Sequence, residues 1–395
     1  MSIAQPPVPL GGARSTRALG AIQLVVPVAL VGLALLLVVG AHIVRDHGDL
    51  TAFVCFGSNF AGATRPPAGA AGCGGQGYDG QFFYLVARDP LIVHATTLHA
   101  LQSVGGAFRA ERLGYPLLAF LASAGRASAL PAALVAVNVA TLLALTAWLA
   151  AALRRRGRSP LWATAVALSP GMLLPVLRDL SDPLATACVL VGVLAWQERR
   201  RPTATVALAF AVLTREVSIV VVLALAAETA VRAWRGRGIP EAPRAALTEA
   251  WPVIVIPAVA FTAWQLYVAV RNGGPPGTAP AGVPLFNLVQ EAGWSLRDWP
   301  AAVGGWDAVY VALVFGAMGL GLRSLRHRIT VTSAATCALC VCIALPTLGD
   351  YWGDTRLSAP LLSMLLLDGL QRRDRLSVAL ATAASAMTLF ILPFS

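Results

Sequence analysis

The chain has 395 residues, of which 57% are hydrophobic and only 12% are charged, and its mean hydropathy is +0.70. Soluble domains carry about twice this share of charged residues, so most of the chain is predicted to lie in lipid. The net charge of +11 comes from arginines in short clusters between apolar stretches. That distribution is typical of loops that flank membrane helices, and it argues against a nucleic-acid-binding protein.

The pattern of apolar stretches predicts an all-α integral membrane protein with a single polytopic domain, residues 1–395, because a membrane-crossing helix needs about 20 apolar residues. The first stretch exceeds the apolar core of a signal peptide and is interpreted as an uncleaved span, with a signal cleaved near Ala41 as the alternative. Three stretches, 182–197, 202–214 and 358–371, are short, and such helices can end part-way where they line a cavity. The predicted transmembrane helices, about eleven, cover residues 20–44, 129–153, 160–178, 182–197, 202–214, 217–233, 251–270, 305–322, 330–347, 358–371 and 376–393.

Arginine placement orients these spans under the positive-inside rule. With a cytoplasmic N-terminus every second connection is basic, and the extracytoplasmic loops are then residues 45–128 and 271–304. This alternation requires that residues 112–126 do not cross the membrane, so they are predicted to form an interfacial or half-inserted helix. The basic connections are residues 154–158, 198–201, 232–244, 323–328 and 372–375.

Two of the six cysteines, Cys55 and Cys73, lie in the first extracytoplasmic loop, where an oxidising compartment permits a disulfide. The sequence leaves open whether they pair. The same loop carries His94 and His99, which lack a defined carboxylate partner and are interpreted as surface histidines. No cofactor is predicted, and a divalent metal has no support in the sequence. The cysteines of the apolar spans, predicted to pack as small hydrophobic residues, are Cys188, Cys337, Cys340 and Cys342.

Ionisable side chains at membrane depth are costly and usually functional, and nearly all of them fall on the predicted extracytoplasmic side. Four segments distant in sequence supply these side chains, which favours a shared site over unrelated helix-end charges. The first loop is predicted to carry an amphipathic helix lying on the membrane, formed by Tyr78-Asp79-Gly80-Gln81-Phe82-Phe83-Tyr84 and followed by Arg88 and Asp89. The other segments contribute Arg178, Asp182, Arg215, Glu216, Asp354 and Arg356.

Asp79 is the candidate general base, because a carboxylate within hydrogen-bonding distance of a hydroxyl can accept its proton. Arg215 and Arg356, with Arg178 third, are candidates for phosphate binding, because a planar guanidinium binds phosphate bidentately. An alternative for Arg215 is an ion pair with Glu216 that only holds two helices together.

These motifs resemble the GT-C superfamily, polytopic glycosyltransferases that use polyprenyl-phosphate sugars and carry a catalytic aspartate in the first extracytoplasmic loop. Within it, the run from Tyr78 to Tyr84 and the later Arg112-Leu-Gly-Tyr115-Pro116 look like a bacterial family linked to cell-surface glycopolymer formation. The resemblance implies that Asp79 activates the acceptor and that the arginines hold the donor phosphate. The polar residues expected to bind substrate are Tyr78, Gln81, Tyr84, Arg88, Asp89, Asp182, Glu216 and Asp354.

The predicted function is therefore an integral membrane glycosyltransferase of the bacterial inner (plasma) membrane, with its active site on the extracytoplasmic side. Its expected partners are a polyprenyl-phosphate sugar donor, a cell-surface glycan or lipid acceptor and membrane lipids, with no nucleic acid. A transporter or flippase for lipid-linked sugars is the main alternative, and its buried charges near the bilayer midplane could only be Glu228 and Asp368. A noncatalytic membrane scaffold is the third hypothesis for the function.

Overall fold

The regions described by a computed structural model are residues 12–235, 242–276, 302–325, 330–344 and 351–392. Within them the chain is helical, with no strand and one isolated backbone bridge between Phe56 and Gly72. Most of the predicted loop 271–304 lies outside the described residues. The α-helices in chain order are α1 (Gly12–Arg45), α2 (Thr51–Val54), α3 (Ala61–Thr64), α4 (Gly80–Ala87), α5 (Ala95–Ser103), α6 (Gly114–Ala122), α7 (Leu130–Arg155), α8 (Trp162–Ala167), α9 (Pro170–Leu173), α10 (Asp182–Gln197), α11 (Arg201–Thr214), α12 (Ile219–Arg235), α13 (Ala242–Asn272), α14 (Ala302–Leu325), α15 (Val331–Ala344), α16 (Tyr351–Arg372), α17 (Arg375–Ala386) and α18 (Thr388–Ile391).

Among the described residues, five helices are long and apolar enough to cross a membrane, namely α1, α7, α12, α13 and α14. The helices α10 and α11 are apolar but shorter, as is the C-terminal pair of α17 and α18. The described part of the chain is therefore that of an all-helical membrane protein, as the composition predicts.

Helix boundaries follow from residues that suit helix ends. Pro131, Pro183 and Pro202 stand in the first turns of α7, α10 and α11, where the missing backbone N–H would have no intrahelical partner. Arg155 and Arg235 stand in the last turns of α7 and α12. A positive charge is favourable there because the carbonyl ends of the helix carry partial negative charge.

The predicted span 160–178 is not one helix. Helix α8 ends at Ala167, α9 has four residues, and a 3-10 helix covers Leu174–Arg178. Pro170 and Pro175 cause this break, because a proline removes one backbone hydrogen bond and clashes with the preceding turn. The broken segment packs closely on α16, where any side chain in place of Gly171 would collide with a backbone carbonyl of α16.

Helix α16 is longer than the predicted stretch 358–371 and occupies the centre of the bundle. It has 22 residues, packs against α9, α10, α14, α15 and α17, and buries the run from Leu361 to Leu367. Its first turns carry Asp354 and Arg356, so a search for apolar stretches detects only its later part.

Helix α4 carries the first motif, and it is buried in the protein instead of lying on the membrane as predicted. All eight of its residues are buried. One side packs Phe82 and Leu85 against α5 and α13, and the other packs Phe83 and Tyr84 against α6 and α7. Apolar residues on both sides of the helix explain the difference, because an interfacial helix needs a polar face.

A disulfide joins Cys55 and Cys73, with a distance of 5.0 Å between their Cα atoms. It closes the loop that precedes α4, where Cys55 also accepts a backbone hydrogen bond from Tyr78 at 3.0 Å. The pairing that the sequence left open is therefore present, and it helps to fix the start of α4. Helix α6 within residues 112–126 has nine residues, too few to cross a bilayer.

The described parts of the predicted basic connections meet at one end of the bundle, which we call the basic end. Arg155 donates to Glu198 at 2.9 Å, which joins connection 154–158 to connection 198–201. Arg372 donates to the carbonyl oxygen of Ser324 at 3.3 Å, and Arg158 to that of Gln371 at 3.4 Å. Connections that the arginine pattern assigns to one side of the membrane are thus neighbours in space.

Candidate functional site

Helices α10, α11 and α16 each have one end at the basic end and the other end at a group of charged side chains. This group is drawn from four segments of the chain. We call it the Asp79 cluster, and its members are Asp79, Arg109, Arg112, Asp182, Arg215, Glu216 and Arg356.

Asp79 lies among three arginines. Its Oδ1 accepts hydrogen bonds from Arg109 Nη2 at 2.6 Å and Nε at 2.9 Å. Its Oδ2 lies 3.4 Å from Arg356 Nη1 and 4.0 Å from Arg112 Nη1. The Asp79 side chain is 14% exposed, so the carboxylate is largely shielded from solvent.

Gly80 sets the position of Asp79 by letting α4 approach neighbouring backbone closely. A Cβ atom at this residue would collide with the carbonyl oxygen of Arg178 and lie 2.7 Å from that of Val54. Glycine is required here because no other residue lacks the Cβ atom. The contact anchors the N-terminal end of α4, and with it Asp79, against α2 and the 3-10 helix Leu174–Arg178.

Arg109 and Arg112 belong to the site although they were not among the predicted site residues. A 3-10 helix, Ala107–Glu111, carries Arg109 over the Phe82 ring at 4.1 Å. Arg112 binds Glu216 through two hydrogen bonds of 2.7 and 2.9 Å, the bidentate geometry that guanidinium and carboxylate favour. A signal was present in the sequence, because two arginines three residues apart run against the positive-inside rule in a loop predicted to be extracytoplasmic.

Arg215 pairs with Asp182, so the alternative pairing with Glu216 is wrong. Both side chains are less than a tenth exposed. They line a pocket between α10, α15, α16 and the turn that follows α11, together with Arg356 and apolar residues that include Leu339 and Pro360. Its cavity volume, about 30 Å³, holds one or two water molecules and no sugar ring.

Tyr78 and Asp354 are the other predicted site residues near the cluster. The guanidinium of Arg356 lies 5.5 Å from the centre of the Tyr78 ring, a cation–π distance. Asp354 lies two residues before Arg356 in α16 and is 1% exposed. Residues two apart on a helix point in different directions, so Asp354 faces the protein interior.

Gln81 and Tyr84 are structural. The Gln81 side chain accepts from the backbone of Gly57 at 3.1 Å and donates to that of Gln76 at 2.9 Å, which ties the disulfide-closed loop to α4. Tyr84 packs edge-on against Phe56, with ring centres 5.2 Å apart, and is 2% exposed. Neither side chain reaches the Asp79 cluster.

Arg88, Asp89 and Arg178 also make their contacts elsewhere. The Asp89 carboxylate accepts from the backbone of Val93 at 2.9 Å and of His94 at 2.8 Å, which caps the turn before α5. Arg88 is exposed and lines a surface pocket beside the same turn. The Arg178 guanidinium donates to the carbonyl oxygen of Leu177 at 3.2 Å, and the backbone carbonyl of the same residue meets Gly80.

The arginines hold the Asp79 carboxylate in its charged form. Burial alone raises its pKa, but the positive charges of Arg109, Arg356 and Arg112 outweigh burial and hold the pKa well below its ordinary value. Glu111 shows the opposite shift, because burial and the negative charge of Glu216 raise its pKa to about 7.

The cluster carries a small excess of positive charge. It holds four arginines and three carboxylates, which leaves one net positive charge. The three carboxylates therefore neutralise most of the positive charge of the four guanidiniums.

Among the residues described by the structure, no group of three or more His, Cys, Asp or Glu side chains is arranged to hold a metal ion. Comparisons with protein-family models, with curated proteins and with solved structures found no match to this chain.

Proposed function

We propose that this protein is a membrane glycosyltransferase that moves a sugar from a polyprenyl-phosphate donor to a cell-envelope acceptor, either a surface glycan or a lipid. In this proposal it spans the bacterial inner membrane about eleven times in a GT-C-like arrangement, with a cytoplasmic N-terminus. The Asp79 cluster is the active site and faces the extracytoplasmic side.

The observation that carries the proposal is the contact of Asp79 with Arg109 and Arg356. It lies where α10, α11 and α16 have the ends opposite to the basic end. Sugar transfer from a lipid phosphate needs a carboxylate next to guanidiniums, because one group must accept a proton while the others bind a phosphate. Both kinds of side chain are present here within 3.4 Å of each other.

The proposed reaction has one displacement step. Asp79 accepts the proton of an acceptor hydroxyl, and the hydroxyl oxygen forms a bond to the anomeric carbon of the donor sugar. The bond between that carbon and the phosphate oxygen breaks, and polyprenyl phosphate leaves with the bonding electrons. Arg109 and Arg356 stabilise its growing negative charge, with Arg215 as a further donor, in a site largely shielded from water.

Donor binding would also prepare the base. A carboxylate whose pKa is held low by arginines is a weak proton acceptor, and Asp79 has that arrangement in the structure. A donor phosphate that engages Arg109 and Arg356 would withdraw their charge from Asp79 and raise its pKa. The pocket between Asp182 and Arg356 must widen at the same time, because its present volume is too small for a sugar.

Glu228 and Asp368, the two acids that a transporter would use near the bilayer midplane, each form an ion pair within their own helix. Glu228 pairs with Arg232 and Asp368 pairs with Arg372, each four residues later in the same helix. Both pairs lie in the last two turns of helices that end at the basic end. This placement favours the enzyme over the transporter, in which such charges would line a path through the membrane.

The test is sugar transfer by the full-length protein in liposomes supplied with polyprenyl-phosphate sugar donors. Asp79→Asn is expected to lower the transfer rate by about 10²–10⁴-fold, the usual effect of losing a general base. Asp46→Asn is the matched control, because it removes a carboxylate from the same loop. The Asp46 side chain contacts His42 and Arg45, which lie outside the Asp79 cluster.

Equal transfer by Asp79→Asn and wild type would refute the role of Asp79 as base. Translocation of the intact lipid-linked sugar without transfer would favour the flippase. Cells that keep their surface glycopolymer with both Asp79→Asn and Arg215→Ala would favour the scaffold.

A further inference from the structure

A second pocket opens at the basic end, at the opposite end of α10 and α11 from the Asp79 cluster. Its cavity volume is about 310 Å³, enough for a small headgroup. The residues that define it are Trp196, Arg199, Arg201, Arg232, Glu249 and Thr330.

Arg201 lines one side of this pocket, and its side chain is held in place by Trp196 and Glu249. Its guanidinium lies 3.8 Å from the centre of the Trp196 ring and donates to the carbonyl oxygen of Trp196 at 3.0 Å. Its other nitrogen pairs with Glu249 at 2.7 Å. The charge of Arg201 is thus largely compensated by Glu249, which is 54% exposed.

Arg199 supplies the uncompensated charge of the pocket. Arg199 stands in the turn after α10 with a φ of 59°, a left-handed conformation fixed by backbone hydrogen bonds to the helix end. It is exposed and has no ion-pair partner in the part of the chain that the structure describes. Arg232 pairs with Glu228 on one side, so the three arginines face two carboxylates and the pocket keeps one net positive charge.

Two helix beginnings add to this preference for an anion. Helix α11 begins at Arg201 and α15 begins one residue after Thr330, both at the pocket. The unpaired N–H groups of a helix N-terminus carry partial positive charge and favour nearby phosphate.

Two tryptophans place the pocket at the depth of lipid headgroups. Trp234 and Trp251 are 62% and 54% exposed, and each lies two residues from a pocket residue, Arg232 and Glu249. Exposed tryptophans on membrane helices concentrate at the boundary between lipid and water. A cavity at that depth is therefore within reach of a phospholipid headgroup.

We propose that this pocket binds the headgroup of an anionic phospholipid, with the lipid phosphate held by Arg199 and Arg232. Basic pockets between helix ends on the cytoplasmic side suit such lipids because they combine arginine charge with access from the bilayer. This site is separate from the Asp79 cluster and does not depend on the reaction proposed there.

The experiment titrates dioctanoyl-phosphatidylglycerol into the full-length protein in neutral detergent and follows bound lipid by native mass spectrometry. Arg199→Asn is expected to weaken binding about fivefold, the effect of one arginine near an anionic lipid, and asparagine tolerates the left-handed backbone. Glu249→Gln is expected to tighten binding by a similar factor because it frees Arg201. Arg154→Asn, an exposed arginine at the same end outside the pocket, is expected to change binding less than twofold.

Opposite changes in Arg199→Asn and Glu249→Gln would support the site. Dioctanoyl-phosphatidylcholine that binds as tightly as the anionic lipid would overturn it, as would equal losses in Arg199→Asn and Arg154→Asn. Inorganic phosphate that displaces the lipid at equal concentration would also overturn it, since the ligand would then be a free anion. Thermal unfolding of each variant in the same detergent excludes misfolding as the cause.

Discussion

Asp79→Asn is expected to tighten the binding of polyprenyl phosphate while it removes sugar transfer. The carboxylate of Asp79 lies 2.6 Å from Arg109 and 3.4 Å from Arg356. A lipid phosphate would contact the same two guanidiniums, so carboxylate and phosphate compete for them. Asparagine keeps the shape of the side chain and removes its charge.

The size of the effect follows from the charge that is removed. A carboxylate and a phosphate about 5 Å apart repel each other by about 3 kcal/mol at an effective dielectric constant of about 20. Arg109 and Arg356 are each 18% exposed, so water screens part of this repulsion. If about 1.4 kcal/mol of this repulsion remains after screening, its removal in Asp79→Asn lowers the dissociation constant for polyprenyl phosphate tenfold.

The assay titrates a short-chain polyprenyl phosphate into wild type and variant in detergent and measures its dissociation constant calorimetrically. Asp46→Asn serves as the control and is expected to bind as wild type does, whereas Arg109→Gln is expected to bind at least tenfold more weakly. Unchanged or weaker binding by a folded Asp79→Asn protein would refute the competition between carboxylate and phosphate. Thermal unfolding with and without inorganic phosphate verifies that this variant is folded.

Three further predictions concern stability, each followed by thermal unfolding in detergent. Replacing Cys55 and Cys73 by serine is expected to cost about 3 kcal/mol, because the disulfide closes a loop with a sequence separation of 18; an unchanged midpoint under reducing conditions would contradict this. Gly80→Ala is expected to cost about 1–3 kcal/mol because its Cβ would meet backbone carbonyls, whereas Gly62→Ala, with open space around it, should cost nothing measurable. Burial raises the pKa of Glu111 from 4.5 to about 7, so its protonated form favours the folded state and stability falls as pH rises through this range. Glu111→Gln should lose less stability than wild type over the same range, and identical pH profiles would exclude this role.

The sequence predicted most of the helices because the membrane imposes a simple length rule. Ten of the eleven predicted spans overlap a helix or the C-terminal pair of α17 and α18, and the exception is 160–178. Among the described residues, five of these helices are long and apolar enough to cross a membrane. That stretch is apolar apart from Thr164, Ser169 and Arg178, so its mean hydropathy is that of a membrane helix. The break comes from Pro170 and Pro175, whose backbone effect does not enter a hydropathy average.

The candidate site was predictable in part. Asp79, Asp182, Arg215, Glu216 and Arg356 were selected because charges at membrane depth are costly, and the structure brings these five together. Which carboxylate forms an ion pair with which arginine was not predictable, because the sequence offers several arginines as partners for each carboxylate.

Other misassignments arose from the surroundings of single side chains. Gln81 and Asp89 are polar residues in or next to the motif that contains Asp79, yet both side chains form their hydrogen bonds with nearby backbone groups. Arg109 was missed because its role depends on the ring of Phe82 and on Asp79, thirty residues away in sequence. Local sequence contains no information about such a partner.

Composition and arginine spacing were sufficient to establish an all-helical membrane protein and the grouping of its loops, because the cost of placing charge in lipid acts on each segment separately. The identity of the ion pairs, the burial of α4 and the path of the broken segment before α10 came from packing. These depend on contacts between segments far apart in the chain, where one glycine or one proline sets how closely two backbones approach.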